Sequence, residues 1–278
     1  MRFRIGSVPY LNGEPLAAAL RQPDLFPEVE RVDAVPARLL DELLAGRLDA
    51  ALVSTAGVLS HPELRIVPGF GVISRGAVRS VQLFGRTALR FAQSIALDAS
   101  SRCAVVLTRL LFRAVYEREP EYRTSPPDLA TMLSECEMAL LIGNPCLRAV
   151  ATLDRGEWAG PPLTRYDLGA EWQAWTGLPF VWAVWAARAD SDLGALREVL
   201  TRAAEWGLAR RAELARTHAD AAGIGASEAH CYLTETIRYA LDEQAMAGML
   251  RFCTLARRLG LLPPTAEVRL AGCAALPR

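Results

Sequence analysis

Short apolar segments alternate with segments of helical apolar spacing along the first part of the chain. This pattern predicts strands over residues 3–8, 29–35 and 49–54 and helices over 15–21 and 37–45. Such alternation is typical of an α/β domain. We therefore expect an α/β fold in which polar groups collect where the strands end.

A second series of the same kind follows in the middle of the chain. Extended pieces are predicted over 65–71 and 71–74, strands over 80–85, 94–98, 121–125, 138–142 and 180–186, and helices over 102–117, 129–135 and up to Thr176. Helical spacing then continues from Asp192 to Leu261 and predicts about three helices. We expect two α/β lobes that enclose a ligand cleft.

Composition narrows the class of ligand. The 278 residues are 51% hydrophobic, which is enough for a large core, and the 31 acidic residues balance the 31 basic ones. Because no long run of either sign occurs, nothing favours nucleic acid or an anionic membrane as a partner. Every basic residue is arginine, which excludes lysine Schiff bases, covalently bound pyridoxal phosphate and a P-loop lysine.

Cysteine and histidine spacing gives no metal signature. The six cysteines, at 103, 136, 146, 231, 253 and 273, show no C-x-x-C pair, and the three histidines are scattered. We expect no metal site, and cysteines that are mostly buried apolar residues. Apolar stretches are far shorter than the roughly 20 residues of a membrane helix, and no signal peptide precedes the first strand, so we expect a soluble, cytoplasmic protein.

Two loops after strands are the sharpest candidates for a site. Asn12 lies between Pro9 and Pro15 in a stiff strand-loop-helix turn, although it also fits a simple helix cap. Ser100, Ser101 and Arg102 follow the strand 94–98 and begin an apolar helix. They fit a carboxylate or phosphate site, and equally an ordinary serine cap beside a solvated arginine.

Three further strand ends carry weaker signals. Gly143 and Asn144 follow a buried strand, Ser80 begins the strand 80–85, and Ser54 with Thr55 lies at the end of the strand that starts at residue 49. Each also fits a plain turn. Together these neutral groups and one arginine suit a small anionic ligand, and they leave an enzyme and a binding protein equally open.

Aromatic and imidazole side chains do not change this picture. Trp172, Trp175, Trp182 and Trp185 have helical and alternating spacing, which favours core packing over a stacking platform. His61, His218 and His230 lie away from the strand ends and are not expected to be catalytic.

Four segments, residues 4–12 with 15–16, 97–102, 140–144 and 175–186, together resemble one family. The chain is similar to the chorismate dehydratases of the futalosine-type menaquinone pathway, over essentially its whole length and in the family's order. The resemblance implies a two-lobed fold like that of type 2 periplasmic binding proteins, with residues 1–86 and 186–278 in lobe 1 and 87–185 in lobe 2. It implies a cytoplasmic hydro-lyase that converts chorismate to 3-[(1-carboxyvinyl)oxy]benzoate without a cofactor.

The resemblance also assigns roles to the candidate residues. It implies that Asn12 and Ser80 are catalytic. Our own hypothesis is that the substrate's side-chain carboxylate takes the C3 proton and that Asn12 orients this carboxylate or the leaving hydroxyl. The substrate-binding candidates are Tyr10, Ser54, Thr55, Ser100, Ser101, Arg102, Gly143 and Asn144. Gly13-Glu14 and Asn144 depart from the family pattern, since a small or hydroxyl residue and an aspartate are expected there.

Two alternatives stay open. One is 1,4-dihydroxy-6-naphthoate synthase of the same pathway, against which the loop Ser7 to Asn12 argues, because that sister family carries a Ser-Pro-Cys-Pro-Asn-type motif. The other is a non-catalytic cytoplasmic protein that binds a small anion on the same scaffold.

Overall fold

The computed structural model describes residues 2–272, which form two β-sheets with helices packed against them. The strands are β1 Phe3–Ser7, β2 Val29–Asp33, β3 Ala50–Ser54, β4 Leu64–Ser74, β5 Val81–Gly85, β6 Ser94–Asp98, β7 Glu121–Ser125, β8 Met138–Ile142, β9 Thr164–Asp167, β10 Phe180–Arg188 and β11 Ile237–Ala240.

Helices connect most of these strands. They are α1 Glu14–Ala17, α2 Pro36–Leu44, α3 Thr55–Ser60, α4 Cys103–Ala114, α5 Leu129–Glu135, α6 Gly143–Asp154, α7 Leu168–Thr176, α8 Leu193–Leu208, α9 Arg211–Ala222, α10 Ala226–Cys231 and α11 Glu243–Arg258. Short 3-10 turns cover Leu11–Gly13, Ala18–Arg21 and Leu89–Phe91, and a π-helical turn covers Tyr232–Thr236. Within residues 2–272, no helix is both long enough and apolar enough to cross a membrane.

The two sheets share one topology. The first has the order β11-β4-β10-β3-β1-β2 and the second β7-β6-β8-β5-β9. In each, three strands pair in parallel, and the next strand, β10 or β5, runs antiparallel to them. The carboxyl ends of the parallel strands therefore lie along one edge of each sheet, where α/β proteins place ligands.

Sheet membership differs from the predicted lobe boundaries at two strands. β5 pairs with β8 and β9 in the second sheet, although the sequence placed residues up to 86 in the first lobe. β10 pairs along its whole length with β3 and β4 of the first sheet, although residues up to 185 were assigned to the second lobe. The sequence of a short apolar strand does not indicate which strand it pairs with. The pattern therefore predicted these two strands but assigned them to the wrong sheets.

Some predicted elements also differ in extent. The two extended pieces over 65–74 form the single strand β4, and the helix predicted over 102–117 ends at Ala114. The strands β9 and β11 were not predicted. In β11 the buried Ile237 and Tyr239 alternate with exposed residues, but the segment is too short to stand out from the helical region around it.

Apolar side chains fill the space on both faces of the second sheet. Met138, Leu140 and Ile142 of β8 join the large core that also covers the first sheet, whereas Ala139 and Leu141 join a smaller cluster on the opposite face. This is the period of two that a strand buried on both sides requires.

The predicted core role of the tryptophans is confirmed for Trp172, Trp182 and Trp185, which are buried. Trp172 packs edge-on against Phe180 at a centroid distance of 5.3 Å. Four of the cysteines, at 103, 136, 146 and 253, are buried, Cys231 is half-buried, and Cys273 lies outside the described residues.

The chain passes between the sheets twice, and one carboxylate joins both passages. Asp167 accepts hydrogen bonds from the backbone N–H groups of Val78 and Arg79 in the first passage, at 2.9 and 2.7 Å. It also accepts from Gly169 and Ala170 in the second, at 2.9 and 3.1 Å. Burial raises the pKa of Asp167, and these four bonds oppose that rise. This clamp fixes the segment that contains Ser80.

Candidate active site

A cavity lies between the two sheets, with ≈ 580 Å³ of empty space when the part open to solvent is included. Its wall on the side of the first sheet consists of Val8, Tyr10, Asn12, Pro36, Leu52, Val53, Ser54, Val72, Trp182 and Ala183. The wall on the side of the second sheet consists of Val81, Ser101, Arg102, Cys103, Ala104, Ile142 and Gly143. Most of these side chains are apolar, so the few polar groups among them determine how a ligand is oriented.

Two helices begin at this cavity, each capped by a serine. Ser54 Oγ accepts a hydrogen bond from the Gly57 N–H at 3.3 Å at the start of α3. Ser101 Oγ accepts one from the Ala104 N–H at 3.2 Å at the start of α4. Because each hydroxyl is used here as an acceptor, its proton remains available to a ligand. The positive ends of the helix dipoles add to this preference for an anion.

Arg102 supplies the positive charge of the cavity wall. Its guanidinium contacts the Asp41 carboxylate at 3.4 Å, and the two side chains are 45% and 64% exposed. An ion pair so exposed contributes little to stability, so Arg102 can exchange Asp41 for a ligand carboxylate at small cost.

Tyr10 reaches across from the loop after β1 to the second sheet. Its ring packs on Gly143, where φ is +61° and an added Cβ would lie 2.9 Å from the ring. Its hydroxyl donates to Ser100 Oγ at 3.3 Å, and Ser100 Oγ donates to Asp98 at 2.6 Å. Burial raises the pKa of Tyr10 and that of Asp98. Ser100 thus serves as a link behind the cavity wall.

Asn144 also contacts the loop after β1. Its Oδ1 accepts from the Leu11 N–H at 3.0 Å, and its Nδ2 donates to the Pro9 carbonyl at 3.5 Å. It is absent from the cavity wall. Both ends of the amide hold the loop that carries Asn12, a pairing that an aspartate would only half reproduce.

Ser80 is fully buried and lies behind the cavity wall. Its Oγ accepts a hydrogen bond from the Tyr232 hydroxyl at 2.7 Å, and its carbonyl accepts from the Gly143 N–H at 2.8 Å. Tyr232 also lies beside Asn12, whose hydrogen bond partly offsets the rise that burial causes in the pKa of Tyr232. Ser80 and Tyr232 thus form a hydrogen-bonded pair behind the cavity wall.

Six of the ten predicted site residues line the cavity: Tyr10, Asn12, Ser54, Ser101, Arg102 and Gly143. The other four do not line it: Ser80, Thr55, Ser100 and Asn144. Each of them is adjacent in sequence to a wall residue. None of the three histidines is a wall residue.

Sequence reasoning missed Cys103, Trp182 and Tyr232. Cys103 follows directly on the predicted segment 100–102, and extending that segment by one residue would have included it. Burial raises the pKa of its thiol to about 12, so the thiol stays protonated. Tyr232 offers no local signal, because it is far from the strand ends in sequence and only the fold brings it to Asn12.

Solved structures share this fold. A protein of Archaeoglobus fulgidus superimposes with a TM-score of 0.73 at 19% identity, covering 94% of this chain and 98% of that one. The periplasmic aliphatic sulphonate binding protein SsuA of Escherichia coli gives 0.65 at 16% identity, covering 100% and 96%. These similarities confirm the predicted periplasmic-binding-protein-like fold with two sheets.

Sequence comparison adds a nearer relative. A protein of Thermus thermophilus described as chorismate dehydratase is 34% identical over 266 residues, which are 91% of this chain and 96% of the relative. The predicted resemblance is thereby confirmed. Residues 3–258 match a protein family described as menaquinone biosynthesis, and the chain belongs to that family.

Proposed function

We propose that this protein is a chorismate dehydratase that acts in menaquinone biosynthesis. The reaction removes the proton at C3 and the hydroxyl at C4 of chorismate as one water molecule, and the new C3–C4 double bond makes the ring aromatic. The observation that carries the proposal is the 34% identity to the Thermus chorismate dehydratase over 91% of the chain.

The two serine-capped helix starts suit the two carboxylates of chorismate. Ser101 and Arg102, with the N-terminus of α4, form the stronger of the two subsites, because a hydroxyl proton, a guanidinium and a helix dipole converge there. Ser54 at the start of α3 offers a second hydroxyl. Between these subsites, the apolar wall of Leu52, Val72 and Trp182 suits the ring.

The proton at C3 needs an acceptor, and the ionisable wall residues do not provide one. Burial raises the pKa of Tyr10, and it raises that of Cys103 to about 12, so both are protonated at neutral pH. The Arg102 guanidinium carries N–H donors and no acceptor atom. The substrate's side-chain carboxylate, ionised above about pH 4, is therefore the base in this proposal.

Asn12 is the wall residue that orients this chemistry. Its amide contacts either the substrate carboxylate that takes the proton or the hydroxyl that leaves, and the apolar wall keeps bulk water away from both. Tyr10 and Gly143 form the adjacent wall, and Ser80, Ser100, Thr55 and Asn144 support the site from behind.

We also place the reaction in the cytoplasm, which the unpaired state of the five described cysteines favours.

To test this proposal, the purified protein is incubated with chorismate, and the products are separated by chromatography and identified by mass spectrometry. We expect chorismate to disappear and 3-[(1-carboxyvinyl)oxy]benzoate to form in equal amount. Unchanged chorismate that raises the melting temperature would instead indicate a binding protein. Unchanged chorismate with turnover in a dihydroxynaphthoate-forming assay would indicate the sister enzyme.

A further inference from the structure

The backbone N–H of Leu11 opens the short turn that carries Asn12. Within this turn, Leu11–Gly13, the Leu11 carbonyl accepts a hydrogen bond from the Glu14 N–H. The N–H of the first residue in such a turn has no partner inside the turn. Because Leu11 is only 2% exposed, its N–H needs an acceptor from another part of the chain.

Asn144 supplies that acceptor from the second sheet. It is the second residue of α6, which directly follows β8, and its Oδ1 accepts from the Leu11 N–H at 3.0 Å. Its Nδ2 donates to the Pro9 carbonyl at 3.5 Å, which is longer than a usual N–H···O bond. A backbone N–H can only donate and a carbonyl can only accept, so these two partners allow the amide a single orientation.

The proposed carboxylate subsite belongs to the same sheet as Asn144. Ser101 and Arg102 follow β6, which runs parallel to β8 as its neighbour, so the subsite and Asn144 lie at the carboxyl ends of adjacent strands. Asn12, by contrast, lies on the loop after β1 of the first sheet. The place of Asn12 relative to a bound substrate therefore depends on how this loop is held against the second sheet.

We propose that Asn144 is a positioning residue for the dehydration: its Oδ1 holds the Asn12 turn at the distance from Ser101 and Arg102 that the reaction requires. Asn144 is absent from the cavity wall, so it acts on the substrate through Asn12. A misplacement of about 1 Å can slow an enzyme about 100-fold. The inference rests on the proposed function and deepens it.

Three substitutions separate the acceptor atom from the size of the side chain. Asn144→Ala removes both, Asn144→Leu keeps the volume without an acceptor, and Asn144→Asp keeps an oxygen for the Leu11 N–H. We expect the first two variants to lower kcat for chorismate about 10- to 100-fold with KM changed less than about threefold, because Ser101 and Arg102 are untouched. Asn144→Asp should recover most of the lost kcat.

Asp128→Ala is the matched control. The Asp128 carboxylate also accepts a bond from a backbone N–H, that of Thr131 at 2.8 Å, at the start of α5, and Asp128 is not a wall residue. Its loss should lower the melting temperature and leave kcat at the wild-type value, since it removes a bond of the same kind without touching the Asn12 turn.

A double variant tests whether Asn144 acts through Asn12. In an Asn12→Ala background, Asn144→Ala should change kcat less than about threefold, because the side chain that Asn144 positions is already gone. A general loss of structure would instead lower kcat by the same factor in both backgrounds. All assays are run well below the melting temperature of each variant.

Wild-type kcat in folded Asn144→Ala or Asn144→Leu overturns the inference, and if one of the two does not fold, the other decides. A kcat of Asn144→Asp no higher than theirs, or an equal fall of kcat in both backgrounds, also overturns it. In each of these outcomes wild type still forms product, so the proposed function stands. A wild-type protein that makes no product overturns the proposed function, and the inference falls with it.

Discussion

Replacing Gly143 by alanine tests the contact between Tyr10 and the second sheet. The backbone at Gly143 has φ +61°, and a side chain in this left-handed region costs about 1 to 2 kcal/mol. The new Cβ would also lie 2.9 to 3.0 Å from three atoms of the Tyr10 ring. Relieving such overpacking typically costs about 1 to 3 kcal/mol more.

A double-mutant cycle separates these two costs. Gly143→Ala alone should destabilise by about 2 to 5 kcal/mol, and in a Tyr10→Ala background only the backbone cost of about 1 to 2 kcal/mol should remain. Urea unfolding of the four proteins gives the free energies of unfolding. Equal losses in both backgrounds would refute the packing of Tyr10 on Gly143, because the coupling energy would then be zero.

Three further predictions concern the cavity wall. Arg102→Ala should raise KM for chorismate about 10- to 100-fold, since a hydrogen bond to a charged group contributes about 1.5 to 3 kcal/mol. The control Arg123→Ala removes a similarly exposed arginine that is paired with Glu121, and it should leave KM unchanged. Equal KM values for the two variants would contradict the Arg102 subsite. The kcat should be level between about pH 6 and 9, because the raised pKa values of Tyr10 and Cys103 keep both protonated throughout, and a limb near pH 6.5 would instead indicate a histidine base. Mass spectrometry after iodoacetamide treatment at about pH 8 should find Cys103 unmodified in the native protein and alkylated in urea, and alkylation of the native thiol would contradict its burial.

The sequence predicted most strands and the chemistry at their ends, because both depend on local patterns. The succession of short extended segments and helical spacing located β6, β7 and β8 with their bounds. The helix starts near Ser54 and Ser101 carry the hydroxyl residues that helix caps prefer. Both kinds of pattern depend only on residues that are close together in the sequence.

Long-range pairing could not be predicted in the same way. The partners of β5 and β10, and the bond between Tyr232 and Ser80, join residues up to 152 positions apart. A strand or a tyrosine has the same sequence whichever partner it meets. Nothing in the sequence indicated that Ser80 is buried behind the cavity wall, next to the Tyr232 hydroxyl. Its catalytic role stays a prediction.

Comparing Asn12→Ala with wild type tests both the proposed reaction and the role of Asn12 in it. Chorismate turnover is followed by product mass, and chorismate binding is measured by calorimetry on both proteins. We expect wild type to form 3-[(1-carboxyvinyl)oxy]benzoate, and Asn12→Ala to bind chorismate with similar affinity but to turn it over at least about 100-fold more slowly. Product formation at the wild-type rate by Asn12→Ala, or no product from wild type, would contradict this expectation.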